Sequence, residues 1–210
     1  MMEYLMMAPV ASVIFAFTIA ASLWAFSSDN AYAQMILHPY SVYRGQRRYT
    51  VITSGFIHND WMHLFFNMLS YYFFAFTLER QLGHWQFGLL YFVSLVLSDL
   101  PTVYKHKNDE WYHSLGASGA VSAVIFSAIL YNPLGGMMIL PLPFAIPAVL
   151  FGVIYLVYCN YASKYSRDNI NHDAHMFGAL SGLLITIALN PHIVNTFIHQ
   201  VIAGVQSWLG

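Results

Sequence analysis

The chain of 210 residues is 58% hydrophobic, 17% aromatic and only 8% charged, with a mean hydropathy of +0.54. A soluble domain covers its surface with roughly 25% charged residues, so this composition excludes that class and points to one membrane domain over residues 1–210 with several spans of about 20 residues. The net charge of −1 and a pI near 6.8 exclude a nucleic-acid binder, and the single Cys159 excludes an internal disulfide framework and any cysteine-rich metal site.

In chain order, the first span is expected over about residues 5–26, with no charge from Leu5 to Phe26. Ala31-Tyr32-Ala33 behind it imitates a signal-peptidase site. Residues 1–4 carry Glu3 and no Lys or Arg, however, so a retained helix is expected. Residues 27–57, with Pro39, Arg44, Arg47 and Arg48, read as a long loop forming a partly ordered insertion. The second span runs over about 61–77 and ends at Glu79-Arg80. A turn at Gly83 leads to the third, about 85–104, which weakens at Asp99-Leu100-Pro101. The fourth, about 117–131, is roughly 22 Å long against a hydrocarbon core of roughly 30 Å, so its first residues lie inside the hydrocarbon zone and need water delivered through a cavity. A Pro- and Gly-rich linker over 133–143 reads as a loop before the fifth span, about 144–162. The sixth, about 174–189, closes at Asn190-Pro191, and residues 192–209 space Ile193, Val194, Phe197, Ile198, Val201, Ile202, Val205, Trp208 and Leu209 as an interfacial amphipathic helix.

Three polar clusters stand at the beginnings of the even-numbered spans, which a six-span count places on one membrane face. His58, His63 and Asn67 open the second span, Ser118 the fourth, and His172 and His175 the sixth. Polar groups that converge in a bilayer are costly and read as functional by default. Ser118 lies in Gly116-Ala-Ser-Gly119, at a helix N-terminus whose free N–H groups receive negative charge. His63 and Asn67, four apart, share a helical face and supply donors for an oxyanion. His172 and His175 are three apart, so spacing alone does not select the base. Gly178 and Gly182 form a small-residue stripe that admits close approach of another helix, with the 116–122 face as its partner. Packing alone also accounts for such glycines, for an interhelical hydrogen bond by Asn67 and for an interfacial His58. Asp173 is expected to cap the sixth span or to be solvated.

Over roughly 54–189 the chain resembles the rhomboid intramembrane serine proteases: His58-x4-His63-x3-Asn67, Gly116-Ala-Ser118-Gly119 and Ala174-His175-x2-Gly178-x3-Gly182 occur in the family's order. The resemblance implies an all-α bundle of six transmembrane helices. It makes Ser118 the nucleophile, His175 the general base and Asn67 with His63 the oxyanion partners, a dyad using neither metal nor cofactor. His58, Gly116, Gly119, Gly178 and Gly182 support the site, and Glu79 with Gly83 resembles the family's structural Glu-x3-Gly segment that closes the second helix. Substrates would be single-pass or multi-pass membrane proteins cut in the bilayer.

Two features depart from the family. Ser122 stands where many members carry a Tyr that stacks on the catalytic histidine. Lys and Arg also gather on the site-bearing face, at Arg44, Arg47, Arg48, Lys105, Lys107, Lys164 and Arg167 against Arg80 alone on the other. The positive-inside rule turns that face to the cytoplasm, whereas the family analogy turns it to the exoplasmic or lumenal side. Two rival readings are a zinc hydrolase using His63, His172 and His175 with Asp60 or Asp173, and an inactive rhomboid-like protein that binds membrane clients.

Overall fold

The computed structural model describes residues 6–139 and 144–209, with side chains at the tail as far as Ser207. Glu3, the start of the first span at Leu5, the linker residues Pro141 and Pro143, and the side chains of Trp208 and Leu209 lie outside the described residues. Helix α1 (Pro9–Ser27) opens with a proline at its first turn, where no N–H is required. Its next two N–H groups are satisfied from a distant part of the chain: the buried Glu79 carboxylate accepts from Val10 N at 3.1 Å and Ala11 N at 2.6 Å. That contact fixes the start of α1 against the end of another helix.

The stretch expected as a loop is folded into α2 (Asp29–Met35), α3 (Pro39–Tyr43) and α4 (Thr50–Thr53), the last running into a 3-10 turn at Ser54–Phe56. Helix α5 (Trp61–Leu82) starts at Asp60, whose carboxylate accepts from His63 N at 2.8 Å. It ends at Gly83, whose φ of +102° favours glycine. Helix α6 (His84–Lys105) continues through Pro101 to Lys105. Helix α7 (Ser118–Tyr131) is buried on nearly every side, which is why its sequence shows no polar face. A short hairpin follows, β1 (Gly136–Met138) paired antiparallel with β2 (Ala145–Pro147). Helix α8 therefore begins at Ala148 and runs to Tyr165, later than the expected start at 144 because residues 145–147 are spent on the strand. Helix α9 (His172–Leu189) and α10 (Ile193–Leu209) complete the chain.

Three helices, α1, α6 and α9, are long and apolar enough to cross a membrane. Helix α7, with 14 residues, is shorter than the hydrocarbon core is thick. It sits against α5, α6, α8 and α9. The tightest of these packings is α7 on α9: a methyl group on Gly178 would collide with the carbonyl oxygen of Gly119, and one on Gly182 with that of Ala123. Two glycines four apart on α9 thus admit the α7 backbone itself.

The loops that precede α5, α7 and α9 are stitched into one layer. Leu37 and Ser114 exchange backbone hydrogen bonds of 3.0 and 3.1 Å. Asn171 Nδ2 donates to Ser114 Oγ at 3.0 Å and to Thr102 Oγ1 at 2.9 Å, and Lys105 Nζ pairs with Asp173 at 2.6 Å. The beginnings of α5, α7 and α9 consequently lie at the same end of the bundle. Several cations of this face serve the stitching: Arg44 donates to Lys107 O and lies over the Tyr40 ring, and Arg47 donates to the carbonyls of Ala33 and Gln34.

Candidate active site

Ser118 is the first residue of α7 and is half-buried. Two contacts hold the strand that delivers it. Gly116 takes a φ of +120°, and a methyl group there would stand 2.7 Å from Cε1 and 2.9 Å from Nε2 of His63, so only glycine fits. This lays the His63 ring directly on the backbone that enters Ser118. One residue later, Ala117 N donates to His58 Nε2 at 3.4 Å.

The tautomer of His58 follows from its partners. Ser22 Oγ donates to Phe56 O at 3.0 Å, so at its 2.9 Å contact with His58 Nδ1 it accepts, which places the proton on Nδ1 and leaves Nε2 free to accept from Ala117. His58 therefore ties α1 to the segment before the serine, and it must be neutral to do so. Burial, reinforced by the neighbouring His63, holds its pKa down at about 3. A histidine with a depressed folded-state pKa adds stability above its unfolded value near 6.5, and that stability drains as pH falls toward the folded value. The melting temperature of the detergent-solubilised protein is accordingly expected to fall between pH 7.5 and 5. A His58→Phe variant should melt lower and lose part of that slope; an unchanged slope would contradict this role.

Asn67 is buried one turn beyond His63, and its Nδ2 donates to His63 O at 3.0 Å. One amide N–H remains for a second acceptor. On the opposite side, the position one residue after Ser118 meets the position one residue before His175: a methyl group on Gly119 would reach Ala174 O at 3.4 Å. The glycine contacts between α7 and α9 thus bring the serine and the histidine to one place. No hydrogen bond joins Ser118 Oγ to His175 among the described residues, a separation common in unliganded sites.

What faces His175 is Tyr155, from α8. The two rings are 6.4 Å apart and inclined by 19°, and the Tyr155 hydroxyl is joined to Ser122 Oγ at 2.8 Å. Ser122, one turn after Ser118, is too short to cover the histidine and instead anchors a tyrosine supplied by a different helix. No spacing rule connects 155 to 118, so sequence reasoning had no signal for it.

His172 lies beside His175 with rings 6.1 Å apart, yet its Nε2 is bound to both oxygens of Asp168 at 3.1 Å. The set expected for zinc hydrolysis is dispersed: Asp60 caps α5, Asp173 pairs with Lys105, and His63 lies on Gly116. Nor does Asp173 cap α9, since Asn171 Oδ1 accepts from Ala174 N at 3.0 Å and takes that role. Glu79 and Gly83 act at the far end of the bundle, where Glu79 also meets His84 Nδ1 at 2.6 Å. A cavity there, between Phe73, Phe74 and Thr77 of α5 and Ala148 of α8, is lined by none of Ser118, His175, Asn67 or His63.

The chain is 29% identical over 189 residues to the "Putative rhomboid protease YdcA" of Bacillus subtilis (strain 168), covering 83% of this chain and 86% of the relative. It is 26% identical over 152 residues to the "RHOMBOID-like protein 12, mitochondrial" of Arabidopsis thaliana, covering 65% of this chain and 45% of that one. The family model for the rhomboid domain matches residues 45–192, which hold every element from α4 through α9. An apolar helical chain whose serine- and histidine-bearing helices pack on one another through glycine is, by that match, a member of the rhomboid family.

Proposed function

We propose that this protein is an intramembrane serine endopeptidase working through a Ser118–His175 dyad. The observation that carries the reading is the backbone contact of Gly119 with Gly178 and Ala174, which sets the first residue of α7 beside the first turn of α9. Ser118 Oγ attacks the scissile carbonyl while His175 takes its proton. His175 then returns the proton to the leaving amine, and water hydrolyses the acyl-enzyme by the same relay. The second N–H of Asn67 and the His63 ring, with the backbone N–H groups at the start of α7, face the developing oxyanion. Helices α1, α5, α6, α7, α8 and α9 form a six-helix membrane bundle, and α10, with Ile198, Ile202 and Val205 exposed, rests on the membrane surface. The family analogy turns the site to the exoplasmic side, and the use of Arg44, Arg47 and Lys105 as loop ties accounts for their presence there. Substrates are membrane proteins whose transmembrane segments unwind near small or helix-breaking residues. Purified protein in liposomes is expected to cut such a segment with a rate that a chelator does not reduce; intact substrate after prolonged incubation would favour client binding without catalysis.

Tyr155 is a positioning residue in this scheme. It holds the His175 ring at the angle needed for proton transfer, with Ser122 fixing the tyrosine in turn. Tyr155→Leu is expected to lower kcat about tenfold with KM little changed, because misplacing a base costs rate rather than binding. Tyr155→Phe keeps the ring and should recover most of the rate. Equal losses in both variants would assign the effect to the hydroxyl and contradict a stacking role.

A further inference from the structure

Behind His175 lies a group of side chains that the proteolytic scheme does not use. Cys159 of α8 is fully buried, His172 is 4% exposed, and one ligand-capable atom from each of Cys159, His172 and His175 lies within 4.8 Å of the others. His172 is already prepared in the way metal-binding histidines are. Its Nε2–H donates to the Asp168 carboxylate, which fixes the tautomer and leaves a lone pair on Nδ1. Among the described residues that buried Nδ1 has no hydrogen-bond partner, an arrangement that costs free energy unless something else occupies it. One thiol and two imidazoles, with the Asp168 carboxylate behind one of them, form the donor set of a tetrahedral zinc site with a fourth position left open.

We infer that Cys159, His172 and His175 form an inhibitory site for a borderline-soft divalent cation of the Zn2+ type. In a tetrahedral zinc site neighbouring ligand atoms stand about 3.5 Å apart, so closure asks for a contraction of about 1 Å, within reach of side-chain rotation. Binding exchanges the Cys159 S–H bond for a sulfur–metal bond and releases that proton to solvent; both imidazoles coordinate as neutral ligands, and water takes the fourth position. Thiolate with two imidazoles favours zinc over magnesium or calcium, which need oxygen. Metal on the His175 nitrogen removes the base from the Ser118 relay, so the cation is a reversible off-switch. Binding stands on the geometry alone, whereas inhibition rests on the proposed role of His175.

The test uses the full chain in detergent, titrated with Co2+ as a spectroscopic stand-in and then with Zn2+. A thiolate-to-cobalt charge-transfer band is expected in the wild type and should be displaced by Zn2+. It should be lost in Cys159→Ser, and Asp168→Asn should weaken binding about tenfold through the His172 contact. In parallel, Zn2+ should suppress fluorophosphonate labelling of the wild type and leave labelling of Cys159→Ser unchanged. No band in the wild type, or a band that persists in Cys159→Ser, overturns the site. A cysteine-dependent band with labelling that Zn2+ leaves untouched overturns the inhibitory role and points away from His175 as the base. Absence of labelling without any metal would count against the proteolytic reading alone, since the band reports the site independently.

Discussion

Ser118→Ala and His175→Ala are each expected to reduce turnover of a transmembrane substrate by roughly 10⁴-fold or more, and the double variant should be no worse than either single one. Groups that act as one nucleophile–base unit lose nearly everything with the first removal, so the failure of additivity is as diagnostic as the size of the loss. Neither change should unfold the protein. Ser118 is half-buried at a helix start, and His175 is held through its backbone by the packing of α9 on α7. Asn67→Ala removes a single donor and is expected to cost about 10² to 10³. His172→Ala is the control: its Nε2 is tied to Asp168 and the Ser118–His175 relay does not run through it, so the rate should persist. Loss of activity in His172→Ala with retention in His175→Ala would reverse the choice of base.

Gly178→Ala should do comparable damage for a different reason. The added methyl would strike the carbonyl oxygen, carbon and α-carbon of Gly119, which are backbone atoms with no rotamer to yield. Helices α7 and α9 must separate, and the separation falls between the residue after Ser118 and the turn after His175. A clash of this kind in a close-packed core costs about 1 to 3 kcal/mol, and an ångström of misplacement costs about 10² in rate. Both a lower melting temperature and a rate loss are expected. Gly88 makes the contrast: a methyl group there would have Val10 Cγ1, at 3.5 Å, as its nearest neighbour, so Gly88→Ala should be tolerated or slightly stabilising through helix propensity. Equal behaviour of the two alanine variants would show that the glycine contact does not hold the site together.

Much of this arrangement was written in local chemistry. The helices follow the apolar runs, Gly83 ends α5, and the Gly178 and Gly182 stripe does meet the start of α7, because close backbone approach requires small residues at fixed spacing. Other parts depended on partners remote in sequence. The hairpin of residues 136–138 with 145–147 was hidden because a two-strand ribbon beside prolines carries no periodicity beyond that of a loop. Residues 28–56 form short helices stitched to other loops, which composition alone does not distinguish from an irregular insertion. Pro101 weakens the apolar run without ending α6, whose helix persists to Lys105, one residue past the expected 104. Tyr155 and Cys159 were invisible as site neighbours because an apolar span presents every aromatic and thiol as packing, and only the assembled bundle shows which of them faces His175.

The most direct test is fluorophosphonate labelling of the purified, folded protein, with the adduct located by mass spectrometry of its peptides. An activated Ser118–His175 pair predicts an adduct on Ser118 that disappears in His175→Ala and forms equally with or without chelator. A well-folded wild type that takes no adduct, or takes it on another residue, would contradict the assignment of Ser118 as the nucleophile.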